Sequence, residues 1–255
     1  MPNQGPSQAA VIEPRLMHIK AIDLLNVSYG YVPSRDVLSG ISISIEQSTI
    51  TAVLGKSGSG KSTLLQIING MIRPCEGEVR LHGVPLDYHN IHSLRLKMGY
   101  VVQHIGLFPH MNIADNISIL GRISKTSKEQ VKRRVADLLD MVQLPAAYLR
   151  KYPHELSGGE QQRAGLCRAL LLKPPILLMD EPFASLDNRT KQSIYRHLLD
   201  IQKKERRTTI IVTHDWEEAV ALADRFFWIE DGRVKVSGDK SGLIEYKDTY
   251  FSESQ

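Results

Sequence analysis

Ile41-Ser42-Ile43-Ser44-Ile45 alternates apolar and polar residues, the two-residue period of a strand buried on one face. Ile50–Leu54 is instead an unbroken apolar run that stops at Gly55, the pattern of a strand covered on both faces. Beyond a Gly-rich stretch, Leu64, Leu65, Ile67 and Ile68 continue as a helix that ends near Asn69-Gly70. Residues 176–179 and 209–212 are further buried-strand candidates, and helical patterns precede and separate them, so the predicted sheet is largely parallel. Asp215, with Glu218 three residues on, predicts the cap of a helix running to Ala223. Asp231-Gly232 between two apolar runs predicts a hairpin turn. Between residues 109 and 151 strand signals stop. Val131, Val135, Leu138, Leu139 and Val142 fall on one helical face there, and we read the segment as a small helical subdomain inserted into an α/β core.

Composition changes this picture little. With 255 residues, 42% of them hydrophobic and 24% charged, the chain is long enough for a sizeable core, and a formal net charge of +4 does not argue for nucleic acid. The basic clusters Lys132-Arg133-Arg134 and residues 203–207 lie on predicted helices and are expected to be solvated helix faces. Cys75 and Cys167 are far apart and make no metal-ligand spacing, so a reduced, cytosolic setting is expected. No run approaches the roughly 18 apolar residues of a membrane span. Residues 1–18, with Pro2, Pro6, Glu13 and Pro14, are expected to form a loose tail rather than a signal peptide. Any membrane role is therefore expected to come through a partner.

The candidate chemistry sits at the ends of the apolar runs. Gly55-Lys56-Ser57-Gly58-Ser59-Gly60-Lys61-Ser62, followed by Thr63, matches the G-x-x-x-x-G-K-[ST] phosphate-binding pattern in full, with the required strand before it and helix after it. Backbone N–H groups and the helix N-terminus would ring the phosphates, Lys61 would reach the β- and γ-phosphates, and Ser62 would hold Mg²⁺. The 176–179 run ends in Asp180-Glu181. Beside the phosphate loop, Asp180 would complete the Mg²⁺ shell and Glu181 would orient or deprotonate the attacking water. His214 and Gln103 each follow a strand candidate; an imidazole there can contact the γ-phosphate, and an amide can serve both a metal-bound water and a phosphate oxygen. Leu156-Ser157-Gly158-Gly159-Glu160 is a second Gly-rich helix start, which serves either a second ligand or a second side of one ligand. Ser157 and Glu160 also have the spacing of a capping box, which leaves other N–H groups facing outward.

Together these residues resemble the nucleotide-binding subunit of an ATP-binding cassette transporter, over about residues 19–238. The resemblance implies an α/β P-loop NTPase fold: a RecA-like core with a mainly parallel sheet, an N-terminal antiparallel β part and an inserted helical subdomain. The core would occupy 19–104 and 157–255, and the helical part 105–156. By the same resemblance residues 55–62 are the Walker A loop, Gln103 the Q-loop glutamine, residues 156–160 the signature, Asp180 the Walker B aspartate, Glu181 the catalytic glutamate and His214 the switch histidine. Ser185-Leu186-Asp187 would be the D-loop. Gln103 would join Ser62 and Asp180 around Mg²⁺. Tyr29 and Tyr31 both compete to stack on adenine, and the family's spacing favours Tyr31. In this family two subunits meet head to tail, so that the signature (Ser157, Gly158, Gly159, Glu160) of one closes over the ATP of the other. The resemblance thus implies ATP-driven closure and hydrolysis on the cytoplasmic face of the membrane, with integral-membrane permease subunits as partners and a solute-binding protein involved indirectly.

Residues 105–111 and Tyr152-Pro153-His154-Glu155 are similar to the corresponding stretches of osmoprotectant (glycine betaine, choline, proline) importer ATPases. Phe183-Ala184-Ser185-Leu186-Asp187-Asn188 departs from the Phe-Gly-Ala-Leu-Asp-Pro usual in that group, and Cys167 stands where alanine is usual. The regulatory domains that follow the ATPase in many members are not expected here. An importer ATPase for another solute is the nearest alternative. A soluble cassette acting on nucleic acid or ribosomes would carry coiled-coil insertions or two cassettes, and a non-hydrolysing module would not need both Glu181 and His214.

Overall fold

The computed structural model describes residues 19–32, 35–103 and 106–253. The tail expected at 1–18 and the boundary expected at 104 and 105 lie outside the described residues. In chain order the first half forms β1 (Lys20–Tyr29), β2 (Leu38–Glu46), β3 (Ile50–Leu54), α1 (Lys61–Ile68), β4 (Glu76–Leu81), β5 (Val84–Pro85), α2 (Ile91–Arg95) and β6 (Met98–Val101). Two helices, α3 (Ile113–Ile123) and α4 (Lys128–Met141), and two 3₁₀ turns follow before α5 (Gly158–Leu170). The remainder is β7 (Ile176–Asp180), α6 (Asn188–Glu205), β8 (Thr208–Val212), α7 (Trp216–Leu222), β9 (Arg225–Glu230), β10 (Arg233–Asp239) and α8 (Lys240–Glu253).

The alternation read in residues 41–45 is realised in β2: Ile41, Ile43 and Ile45 are buried while Ser42 is exposed. β2 pairs with β1 in a four-stranded antiparallel sheet of order β2-β1-β4-β5. The unbroken apolar runs become the centre of a six-stranded sheet of order β10-β9-β3-β8-β7-β6, parallel except for the β9–β10 hairpin. Its turn is built on Asp231 and Gly232, both at positive φ (49° and 69°), as a tight hairpin turn demands.

The parallel sheet is covered on both faces, and β7 divides its side chains accordingly. Ile176 and Leu178 join Leu64 and Leu65 of α1 and Ile43 and Val79 of the antiparallel sheet in one core cluster. Leu177 and Met179 face another, which takes in Ile117 of α3, Val135, Leu138 and Leu139 of α4, Leu166 and Leu170 of α5 and Leu198 of α6. The inserted helices thus share a core with α5 and α6. The helical face expected at 131–142 is present, with Val131 only half-buried.

The expected solvated basic faces are present at Lys132, Arg133, Lys203, Lys204 and Arg206, all exposed, but the expectation fails at Arg134 and Arg207. Arg134 is largely buried, donates to the Leu170 carbonyl at 3.2 Å and pairs with Glu205 at 3.1 Å. Arg207 is fully buried and forms the other ion pair of the same carboxylate. Burial pushes the Arg207 guanidinium down to about 10. A Glu between the two arginines explains why charges expected in solvent sit inside: the pair ties α4 to the start of β8. The sequence reading also omitted α8. Its Leu243, Tyr246 and Tyr250 pack with Trp216, Phe226 and Trp228 in a third cluster.

Candidate active site

Four parallel strands end at one edge of the sheet, and each leads within two residues to a candidate site residue. Register aligns them: Val53 of β3 lies opposite Val212 of β8, which lies opposite Asp180 of β7. From β3 the chain enters the Gly55-to-Gly60 turn, from β7 it reaches Glu181, from β8 His214, and from β6 Gln103. Ligands of open α/β sheets bind at this carboxyl edge.

The turn needs its glycines. Gly55, Gly58 and Gly60 have φ of 153°, 80° and 97°. A Cβ on Gly55 would lie 2.1 Å from the Ile229 carbonyl oxygen, and one on Gly60 would lie 2.5 Å from Leu38. A Cβ on Gly58 would meet nothing within 4 Å and would project into open space. Inside the turn the buried Lys61 ammonium donates to the carbonyls of Gly55 and Lys56, both at 2.8 Å. Burial lowers the Lys61 pKa, while the carboxylates of Glu181 and Asp180 act in the opposite direction. Ser57 is exposed and Ser59 buried. Lys56 points away and pairs with Glu230 at 3.1 Å, a partner the sequence reading did not anticipate.

Ser62 lies in the first turn of α1, and its hydroxyl donates to Asp180 Oδ1 at 3.1 Å. The Glu181 carboxylate is held from two sides. Gln103 Nε2 donates to Oε2 at 3.3 Å, and His214 Nδ1 lies 3.2 Å from Oε1. Gln103 and His214, 78 and 33 positions from Glu181 in the chain, therefore meet around one carboxylate, as the strand order requires. Ser62, Asp180 and Gln103 are all hard oxygen donors, which suits Mg²⁺. Among the described residues no group of three or more His, Cys, Asp or Glu is placed to hold a metal. A cation here would rely on oxygens supplied by a bound phosphate chain.

Tyr31 and Tyr29 separate as expected. Tyr31 is exposed, with its hydroxyl 3.2 Å from Thr63 Oγ1 of α1. Tyr29 packs against the core beneath, edge-on to Tyr31 at 5.1 Å between ring centroids. At residues 157–160 the capping box is present: Ser157 Oγ accepts from the Glu160 N–H, and Glu160 Oε2 accepts from the Ser157 N–H at 2.8 Å. That backbone bond holds the Glu160 carboxyl below its usual range. Ser157 and Gly158 are exposed, and a Cβ on Gly158 would meet nothing within 4 Å, so this helix start faces outward. Gln162 was missed by the sequence reading. Its buried amide donates to the Glu181 carbonyl at 3.0 Å and accepts from the Ser185 N–H at 3.1 Å. The signal was there: Gln162 stands at helical spacing from Leu166, Ala169 and Leu170, which are among the buried residues of α5.

A central strand, a Gly-rich turn and a helix, with an inserted helical segment and a separate antiparallel sheet, define a P-loop nucleotide-binding cassette. The chain belongs to the ABC transporter family, whose family model matches residues 38–184. It is 39% identical to the choline transport ATP-binding protein OpuBA of Bacillus subtilis, over 88% of this chain and 58% of that one. It is 36% identical to the glycine betaine uptake system ATP-binding protein YehX of Escherichia coli, over 83% of this chain and 68% of that one. Its fold is similar to the solved dimeric structure of MJ0796, a bacterial ABC transporter cassette, with a TM-score of 0.81 and 31% identity, covering 86% of this chain and 98% of that one. The chain spans about three fifths of the length of the first curated relatives it matches, 58% and 61%.

Proposed function

We propose that this chain is the ATP-binding and ATP-hydrolysing subunit of an importer, driven by head-to-tail closure of two cassettes. The observation that carries the reading is the Glu181 carboxylate held between Gln103 and His214, beside the Ser62–Asp180 pair. In this reading Tyr31 stacks on the base, and Lys61 with the backbone of residues 55–63 binds the phosphates. Ser62, Asp180 and Gln103 hold Mg²⁺, which when bound offsets the charge of the β- and γ-phosphates. Glu181 orients the attacking water and receives its proton, and His214 contacts the γ-phosphate. Ser157, Gly158, Gly159 and Glu160 close over the nucleotide of the second cassette, a copy or a homologue. The outward-facing helix start at 157–158 supports that assignment.

The helical segment at 105–156 receives permease subunits, which hold the cassette at the cytoplasmic face of the membrane. The cargo is an osmoprotectant of the quaternary-amine class, a reading supported by the similarity to OpuBA and YehX. Two variants test the mechanism. Glu181→Gln should bind ATP, stop turnover and accumulate a closed dimer on size exclusion; Ser157→Arg should bind ATP as a monomer without hydrolysing it. Normal turnover in either variant overturns the corresponding role. Uptake of labelled glycine betaine and choline, with sulfate as control, in a strain lacking the gene tests the cargo.

A further inference from the structure

The first turns of α5 do more than present residues 157–160. Gln162, five residues past Ser157, turns inward and is 5% exposed. Its one amide group bonds both ends of the segment 181–185, through the carbonyl of Glu181 and the N–H of Ser185. Nothing in the catalytic reading above uses these bonds.

Glu181 gives them significance. Its φ is +46°, the left-handed region that a residue with a side chain occupies only at a cost of about 1–3 kcal/mol. Such a conformation persists when the surroundings fix it. On one side the Glu181 N–H donates to the Val212 carbonyl at 2.9 Å, which ties it to β8. On the other side its carbonyl accepts from Gln162. The backbone that aims the carboxylate at Gln103 and His214 is thus clamped between a sheet strand and the helix that starts at the outward-facing Ser157 and Gly158. A second contact makes the coupling stiff. A Cβ on Gly159 would lie 3.1 Å from the Ser185 carbonyl oxygen and 3.1 Å from the Leu186 side chain, so the first turn of α5 lies close against residues 185–186.

We propose that Gln162 is a positioning residue that couples the α5 N-terminus to the Glu181 carboxylate of the same chain. A partner's nucleotide seated on residues 157–160 then fixes, through one side chain, the carboxylate that acts on the nucleotide this chain holds. The inference rests on the proposed role of Glu181 in hydrolysis. Gln162 touches neither phosphate nor water in this scheme; it acts through the backbone of another residue.

Gln162→Met keeps the volume and removes both bonds, and should lower kcat by about thirtyfold, the effect of losing two buried hydrogen bonds from the reactive arrangement. KM and the Kd of the monomer for ATP should stay within about twofold, since a loss of general packing would move binding and turnover together. Gln162→Glu keeps an acceptor for Ser185 but sets oxygen against the Glu181 carbonyl, and should lose at least as much turnover while remaining folded by its thermal transition. Wild-type kcat in a folded Gln162→Met or Gln162→Glu protein overturns the proposal, as does a rise in KM that matches the fall in kcat. Glu181→Gln, assayed alongside, separates the two levels. If it too turns over normally, the role of Glu181 fails; if it is inactive while the Gln162 variants are normal, only the coupling fails.

Discussion

Glu218, in the first turn of α7, is a carboxylate placed where it resists ionisation. It is 3% exposed, one of its carboxyl oxygens is buried without a hydrogen-bond partner, and Asp215 adds negative charge beside it. Burial first and Asp215 second push its pKa to about 8, against the pull of Lys191 and a bond from Thr213; Glu181 raises it slightly further. Tyr195 of α6 also feels its charge. The folded protein therefore binds the Glu218 proton more tightly than the unfolded chain does. Between the unfolded value of 4.5 and about 8 the unfolded chain holds fewer protons, so stability falls as pH rises through that window and levels off above it. The slope is about 1.4 kcal/mol per pH unit, which sums to roughly 3–5 kcal/mol across the window. Glu218→Gln imitates the protonated acid and removes this contribution. Urea unfolding of both proteins at pH 5, 7 and 9 isolates it: the variant should gain on the wild type with each step, with the difference near its maximum at pH 9. Parallel stability curves for the two proteins would refute the reasoning, because no other group differs between them.

Two further outcomes follow from the geometry. Glu205→Gln leaves Arg134 and the fully buried Arg207 facing each other without their shared anion, and should cost about 2–4 kcal/mol in urea unfolding, the partial exposure of Glu205 taking it below the full cost of a buried pair; ATP affinity should be unchanged, since Thr208 begins β8 at the edge opposite the site. Tyr31→Ala should weaken ATP binding by roughly tenfold in a fluorescent-nucleotide titration, in line with the loss of one base–aromatic stack, and Tyr29→Ala by less; the reverse ranking would move the base to Tyr29.

Much of this molecule is legible because its parallel strands are short apolar runs that stop abruptly at the residue carrying the chemistry. Gly55, Glu181 and His214 each follow such a stop, and a strand has only one direction in which to deliver its next residue. The alternation of Ile41, Ile43 and Ile45 was equally direct, since one face of β2 is wet. Residues defined by burial against distant elements were not legible. Arg207 reads as the last of a basic run, and only the approach of α4 and Glu205 turns it inward. Gln162 is one of two adjacent glutamines, and which of them faces the Glu181 segment depends on how α5 rests on the sheet. The aromatic face of α8, with Leu243, Tyr246 and Tyr250 at helical spacing, shows its purpose only once Trp216 and Trp228 lie beneath it.

Those two tryptophans are the only ones in the chain, and they stack on each other with ring centroids 5.2 Å apart and planes 15° from parallel. One stands on β9, which belongs to the rigid sheet. The other, Trp216, opens α7 two residues after His214. Tryptophan emission, excited where the tyrosines do not absorb, therefore reports on one ring pair, and a movement that carries Trp216 away from β9 would change it. A stopped-flow trace of the unlabelled wild-type protein should time that movement against phosphate release, with no dye and no engineered site.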